Sequence, residues 1–123
     1  MRKSMTVTWL KLPESHDYPA AASYLTLTYK NTMVAKLVQK LKKAPITAFK
    51  AKDIFRASSL SLLGISNAHI QKVRKKITAG TRISPLLLVR NPRMGTVIIA
   101  DGYHRLCAVY SFDEDAVIPC KIV

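Results

Sequence analysis

The stretch Ile98-Ile99-Ala100-Asp101-Gly102-Tyr103-His104-Arg105-Leu106-Cys107-Ala108 decides how this chain is read. Branched apolar residues run up to Asp101-Gly102, and a helical pattern begins directly after it. The reading is a strand, a sharp turn and a helix start. Gly102 permits a turn that a side chain would obstruct. The first amides of the following helix have no intrahelical acceptor, and together with the helix dipole they attract anions. His104 adds a donor that is neutral or cationic, and Arg105 a permanent fork that fits phosphate oxygens in pairs. Gly102, Tyr103, His104 and Arg105 are therefore the candidate phosphate or nucleotide cradle, with Asp101 and His104 as candidate catalytic groups. Asp101 has competing roles as helix cap, partner of Arg105 or holder of a cation. Asp-Gly turns followed by an exposed Arg are also common where nothing binds, so the pentapeptide needs its context.

Working outward, Pro85–Arg90 reads as a buried strand, the turn Asn91-Pro92-Arg93-Met94-Gly95 reverses it, and Thr96–Ala100 returns. Tyr103–Phe112 fits a short helix with Leu106, Val109 and Tyr110 inward. Ala116–Ile122 closes as a last strand, put at a sheet edge by Pro119. Upstream, Asn67 caps a helix that ends before Gly80, with Ile70, Val73 and Ile77 inward. A loop over 58–66 precedes it, and 49–55 is a connection. Asn31–Lys43 is another helix, capped by Asn31 or Thr32 and stopped by Pro45, whose apolar stripe is Met33, Val34, Leu37, Val38 and Leu41. A weaker helix is expected over Ala20–Tyr29, whose Thr residues count against it. Residues 1–19 read as irregular, anchored by Trp9 and Leu10. The expected class is α/β (α+β): one domain with a small mixed sheet and flanking helices. Residues 46–123 form its core, and residues 1–45 are a basic helical extension packed on it.

A chain of 123 residues holds one core, and 49% hydrophobic content argues against global disorder. No run approaches the roughly 18 apolar residues of a membrane span. Met1-Arg2-Lys3 is followed by no apolar signal segment, so no membrane association and a cytoplasmic location are expected. Cys107 and Cys120 stand in apolar surroundings and read as reduced, buried thiols. The net charge of +13 is unevenly spread: residues 30–82 carry thirteen Lys/Arg against one acid, Asp53, and the rest of the chain is nearly neutral. Such a field attracts polyanions. Lys36, Lys40 and Lys43 on one helix and Lys72, Lys75 and Lys76 on the next are the candidate nucleic-acid contacts, with a merely solubilising face as the alternative.

Glu14, His16 and Asp17 form the one local group of acids with a histidine. They are candidate metal ligands or a general base, and hydration of the loop is the simpler explanation. If that loop folded over the Gly102 turn, acid, metal and phosphate cradle together would suit a phosphotransferase or nuclease. Asp53 is read as paired with a neighbouring Lys or Arg, and His69 as a surface or half-buried histidine.

The run Ile83-Ser84-Pro85-Leu86-Leu87-Leu88-Val89-Arg90, followed by a hairpin and Asp101-Gly102-Tyr103-His104-Arg105-Leu106-Cys107-Ala108, resembles the core of ParB/sulfiredoxin-fold domains. Those domains show a strand of the Pro-Ile-x-Val-Arg type, a hairpin and a Gly-x-x-Arg helix start ending in Ala. Ala51-Lys52-Asp53-Ile54 and the helix ending at Gly80 fall where such domains have their entry segment and first helix. The resemblance covers roughly residues 46–123, and residues 1–45 have no counterpart in it. It implies a site for nucleotide phosphates. ParB proteins bind CTP in the equivalent box, sulfiredoxin and free-serine kinases hold ATP there, and some relatives are nucleases. Gly102 would be the turn glycine, with His104 and Arg105 the phosphate-contacting pair.

Two departures narrow this. Sulfiredoxin has its reactive Cys directly after the turn glycine, where this chain has Tyr103, which argues against sulfinic-acid repair. The ParB box carries a further Arg where Cys107 stands, which weakens a CTP switch. The chain also stops at Val123, short of the helix-turn-helix reader and dimerisation segment of ParB, so sequence-specific partition-site binding is not expected. The functional expectation is a ParB-like domain that binds nucleotide or nucleic-acid phosphates, DNA in preference to RNA, with ATP or CTP and Mg2+ as candidate cofactors. The alternative is a small phosphotransferase, NTPase or nuclease of the same fold.

Overall fold

Four consecutive buried residues, Leu86, Leu87, Leu88 and Val89, organise the molecule. Side chains alternate across a strand, so Leu86 and Leu88 face one side of the sheet and Leu87 and Val89 the other, and both sides need cover. The computed structural model describes residues 6–64 and 66–123. The Met1-Arg2-Lys3 start and Ile65 of the 58–66 loop lie outside the described residues. One face is covered by α1 (Asp17–Leu25) and α2 (Asn31–Lys43), whose Ala21, Leu25, Val34 and Leu41 cluster with Leu87, Val89 and Ala100. The other is covered by α3 (Ala51–Ser58), α4 (Ala68–Thr78) and α5 (Tyr103–Phe112), which bring Ile54, Ile70, Ile77, Leu106 and Val109 onto Leu86, Leu88, Ile99, Ile118 and Cys120. The protein is a small α/β fold of three layers.

The sheet is mixed, in the order β1 (Thr47–Lys50), β4 (Val117–Ile122), β2 (Leu86–Asn91), β3 (Thr96–Asp101). β2 and β3 form the expected antiparallel hairpin, β4 runs parallel to β2, and β1 pairs antiparallel with β4. β4 is therefore interior, against the edge position that Pro119 suggested. The ladder to β2 starts at Cys120, one residue after the proline, so the strand tolerates the missing N–H. The reading of 49–55 as a connection is also corrected, since that stretch ends β1 and forms most of α3. β1 is four residues long and largely exposed, and α3 buries only Ala51 and Ile54, so neither leaves a readable period.

The helix expected over 20–29 begins three residues earlier and ends at Leu25, with Pro19 tolerated in its first turn. α2 has the expected bounds, but Lys30 takes the cap position without a side-chain bond, and Met33 is exposed. Asn67 caps α4 as expected, its Oδ1 accepting from the amides of His69 (2.9 Å) and Ile70 (3.3 Å). Both cysteines are free and buried.

Two polar contacts add to the apolar packing of α1 and α2 in fastening the N-terminal part to the rest. Trp9 bridges Ile83 in parallel fashion: the Leu10 amide donates to the Ile83 carbonyl (2.9 Å), and the Ile83 amide to the Thr8 carbonyl (3.0 Å). At the other end Lys121, only 5% exposed, reaches from β4 to donate its Nζ to the Lys42 carbonyl at 2.8 Å. An ammonium at a helix C-terminus meets the negative end of the dipole. The same ammonium lies 5.7 Å from the Tyr18 ring centroid. No helix among the described residues is long and apolar enough to cross a membrane.

Candidate functional site

β3 ends at Asp101, and Gly102 turns the chain into α5 with φ 108° and ψ 15°. Two constraints select glycine here. L side chains rarely adopt that conformation, and a Cβ would lie 2.7 Å from Leu86 Cγ and 3.0 Å from Arg105 Nη2. Arg105 is thus packed over the Gly102 backbone. Its Nη2 donates to Asp101 Oδ2 at 2.9 Å and reaches the Pro85 carbonyl at 3.5 Å. Its Nε is buried and without a hydrogen-bond partner among the described residues. No side chain hydrogen-bonds the first amides of α5 as a cap, while the Asp101 carboxylate beside them is engaged by Arg105.

His104 projects from the first turn of α5, and its ring lies against His69 of α4, centroids 4.9 Å apart. Burial, then the neighbouring His69 and Arg105, hold the His104 imidazole below its ordinary pKa, which favours the neutral ring. Asp101 is pushed above the ordinary carboxylate range, chiefly by burial and further by the adjacent Asp17, with Arg105 opposing. Tyr103 also lines the cavity at the turn, its ring centroid 5.8 Å from that of His104, and donates its hydroxyl to the Ser61 carbonyl, tying the loop after α3 to the start of α5.

The turn opens on a cavity of about 240 Å³, whose wall includes Asp101, Gly102, His104 and Arg105 from the turn and His69, Lys72 and Lys76 from α4. Next to it lies a second cavity of about 260 Å³ that shares Val73, Lys76 and Arg105 with the first. Its opposite wall is the loop Glu14, His16 and Asp17. The loop on which an enzymatic reading depended therefore does fold against the Gly102 turn. Its Asp17 is 3% exposed and is held by the Glu14 amide, which donates to Oδ2 at 2.8 Å.

The six lysines singled out on the two basic helices do not form one surface. α2 lies over the Leu87/Val89 face of the sheet and α4 over the Leu86/Leu88 face, so Lys36, Lys40 and Lys43 are on one side of the molecule and Lys72, Lys75 and Lys76 on the other. Lys72 and Lys76 line the cavity at the turn, whereas Lys75 belongs to a shallow depression beside Arg74 and Phe112. Asp53 makes no ion pair among the described residues and stands in the first turn of α3. His69, read from the sequence as a surface or half-buried histidine, is exposed as expected, but it also lines the cavity at the turn. Its place one turn above Lys72 and Val73 on a helix packed against α5 is a tertiary fact that the sequence does not announce. Arg82 and Ser84, which line the second cavity, were missed for the same reason.

No model of a known family matches the chain, and no curated protein and no solved structure matches it.

Proposed function

We propose that this domain binds phosphate groups, of a nucleotide or of a nucleic acid, at the N-terminus of α5. The observation that carries the reading is the convergence of cationic and donor groups from two helices on one cavity: His104, Arg105 and the uncapped helix start on α5, with His69, Lys72 and Lys76 on α4. Backbone dipole, guanidinium, ammonium and imidazole are the groups that hold phosphate oxygens in proteins generally. The resemblance of the Gly102 box to ParB/sulfiredoxin domains supports the same reading and favours DNA over RNA as the polyanion. Size supports a phosphate of a longer chain. A lobe of about 240 Å³ is below the ~300–1,000 Å³ usual for a whole small-molecule ligand. The net charge of +13 raises the encounter rate with any such polyanion.

The test is fluorescence anisotropy of a labelled DNA duplex over a series of salt concentrations. Lys72→Glu with Lys76→Glu is expected to weaken binding and to lower the slope of log affinity against log salt by about 2. Lys36→Glu with Lys40→Glu, on the opposite face, is expected to leave that slope unchanged. Equal effects of the two pairs, or no binding by the unaltered protein, would overturn the reading.

A second reading is a phosphotransferase, NTPase or nuclease. It is favoured by one observation, the closure of the Glu14–Asp17 loop against the same Arg105. In that reading ATP or CTP with Mg2+ spans both lobes, which together reach the size of a small-molecule site. Asp101 or His104 then handles the proton. Turnover of ATP, CTP or a DNA strand in the presence of Mg2+ tests it, and no turnover beyond that of an Asp101→Asn variant would sink it.

A further inference from the structure

We propose that Glu14, His16 and Asp17 bind a divalent transition-metal ion of the Mn2+ or Zn2+ class, with its open coordination positions turned into the cavity beneath Arg105. The ligand atoms converge on one point. Glu14 Oε2 is 2.9 Å from His16 Nε2, Asp17 Oδ1 is 3.4 Å from the same nitrogen, and one atom from each of the three residues lies within 4.8 Å of the others. Neighbouring ligands at metal bonds of ~2.1 Å stand ~3.0–3.4 Å apart in octahedral or tetrahedral geometry, close to the two separations from His16, and a small turn of the exposed Glu14 side chain would complete the set. The Asp17 side chain is 4% exposed, and the Glu14 amide occupies its Oδ2, which leaves Oδ1 as the oxygen that faces the cluster. Two carboxylate oxygens and one imidazole nitrogen make a donor set of intermediate hardness, suited to Mn2+, Fe2+ or Zn2+.

An ion pair of His16 with the two acids is the competing explanation. It accounts poorly for the side of the cavity away from the cluster. Arg105 Nε, on the wall of the same cavity, is buried without a hydrogen-bond partner among the described residues, and an anion seated in the cavity would add an acceptor to that guanidinium. Lys76, Arg82 and Arg105 form the wall facing the acids. Three cations opposite a metal are tolerable when an anion lies between them, its oxygens shared by the ion and the basic side chains. Three protein ligands leave positions free for such oxygens. The metal site stands on its own residues, and only the identity of that anion as a phosphate rests on the proposal above.

The experiment uses the full chain and Mn2+ alone, in a buffer free of phosphate. Binding is followed by loss of the electron paramagnetic resonance signal of free Mn2+. One ion per chain is expected. Glu14→Gln and His16→Ala, both at exposed positions, are each expected to weaken binding at least ~10-fold, while circular dichroism melts stay at the unaltered temperature. No Mn2+ bound at millimolar concentration, or binding unchanged in both variants, overturns the site. Inorganic phosphate is then titrated with and without Mn2+. Tighter phosphate binding in the presence of Mn2+ supports the shared anion. Phosphate bound equally well with chelator present leaves the phosphate reading standing and removes the metal from it. Mn2+ bound with no phosphate affinity in either condition does the reverse.

Discussion

Replacing Gly102 by alanine perturbs the turn at the point where fold and site meet. At φ 108° the backbone lies where L residues are strained, at a cost of ~1–3 kcal/mol. The new methyl would also sit 2.7 Å from Leu86 Cγ, a side chain with no exposure, and 3.0 Å from Arg105 Nη2. Forcing that contact in a packed core costs a further ~1–3 kcal/mol. Gly102→Ala is therefore expected to lose about 2–6 kcal/mol of the ~5–15 kcal/mol typical of a folded domain. With a urea slope of ~2 kcal/mol/M, the unfolding midpoint falls by ~1–3 M. Gly95 supplies the control. It too has a positive φ, 66°, but nothing lies within 4 Å of its added Cβ, so Gly95→Ala is expected to cost only ~1–2 kcal/mol. Equilibrium urea unfolding of the two variants separates backbone strain from contact. A Gly102→Ala loss no larger than that of Gly95→Ala would refute the close packing of Arg105 and Leu86 over the turn.

Other perturbations read other parts of the molecule. His104 is held below its ordinary pKa by burial, His69 and Arg105, so the folded chain takes up that proton less readily than the unfolded one. Its contribution to stability is present above the ordinary imidazole range and is lost as pH falls below it. A bound phosphate favours the protonated ring, so phosphate affinity should rise over the same interval, and calorimetric titrations at neutral and mildly acid pH should lose that trend in His104→Gln. Burial pushes the Cys120 thiol up to about 11, and Cys107 is fully buried. The native protein should therefore resist a thiol reagent at neutral pH and react at both cysteines only when unfolded; rapid native labelling would contradict the packing of α5 and β4. The same thiol costs stability as pH climbs from 9.0 toward about 11, because the unfolded chain ionises first. Arg74 lies 4.0 Å from the Phe112 ring centroid and donates to Ser111, clamping α4 to α5. Arg74→Ala should cost ~1–2 kcal/mol in thermal unfolding, and an unchanged melt would show the clamp to be idle.

The legible parts of the fold were those with a strong local signal. α2 and α4 have helical apolar spacing, and β2 is a run of branched residues between a proline and a turn, so their bounds are nearly those read from the residues. β1 and α3 were illegible because they are short and bury few side chains. Pro119 misled because its effect depends on where the ladder to β2 begins, which is set by tertiary register. At the site, the turn glycine and the His104-Arg105 pair were visible as chemistry. The stacking of His69 on His104, the lodging of Asp17 beside Asp101 and the division of the lysines between two faces were not. Each of these depends on which helix packs on which side of β2, and alternation within that strand leaves both choices open.

The claim that phosphate binds at the start of α5 is tested most directly by following backbone amide resonances during titration with inorganic pyrophosphate. Saturable shifts are expected, centred on Tyr103, His104 and Arg105, accompanied by His69 and Lys72 across the cavity and abolished in Arg105→Ala. Shifts confined to α2 or spread evenly over the surface lysines, or none at all, would contradict it.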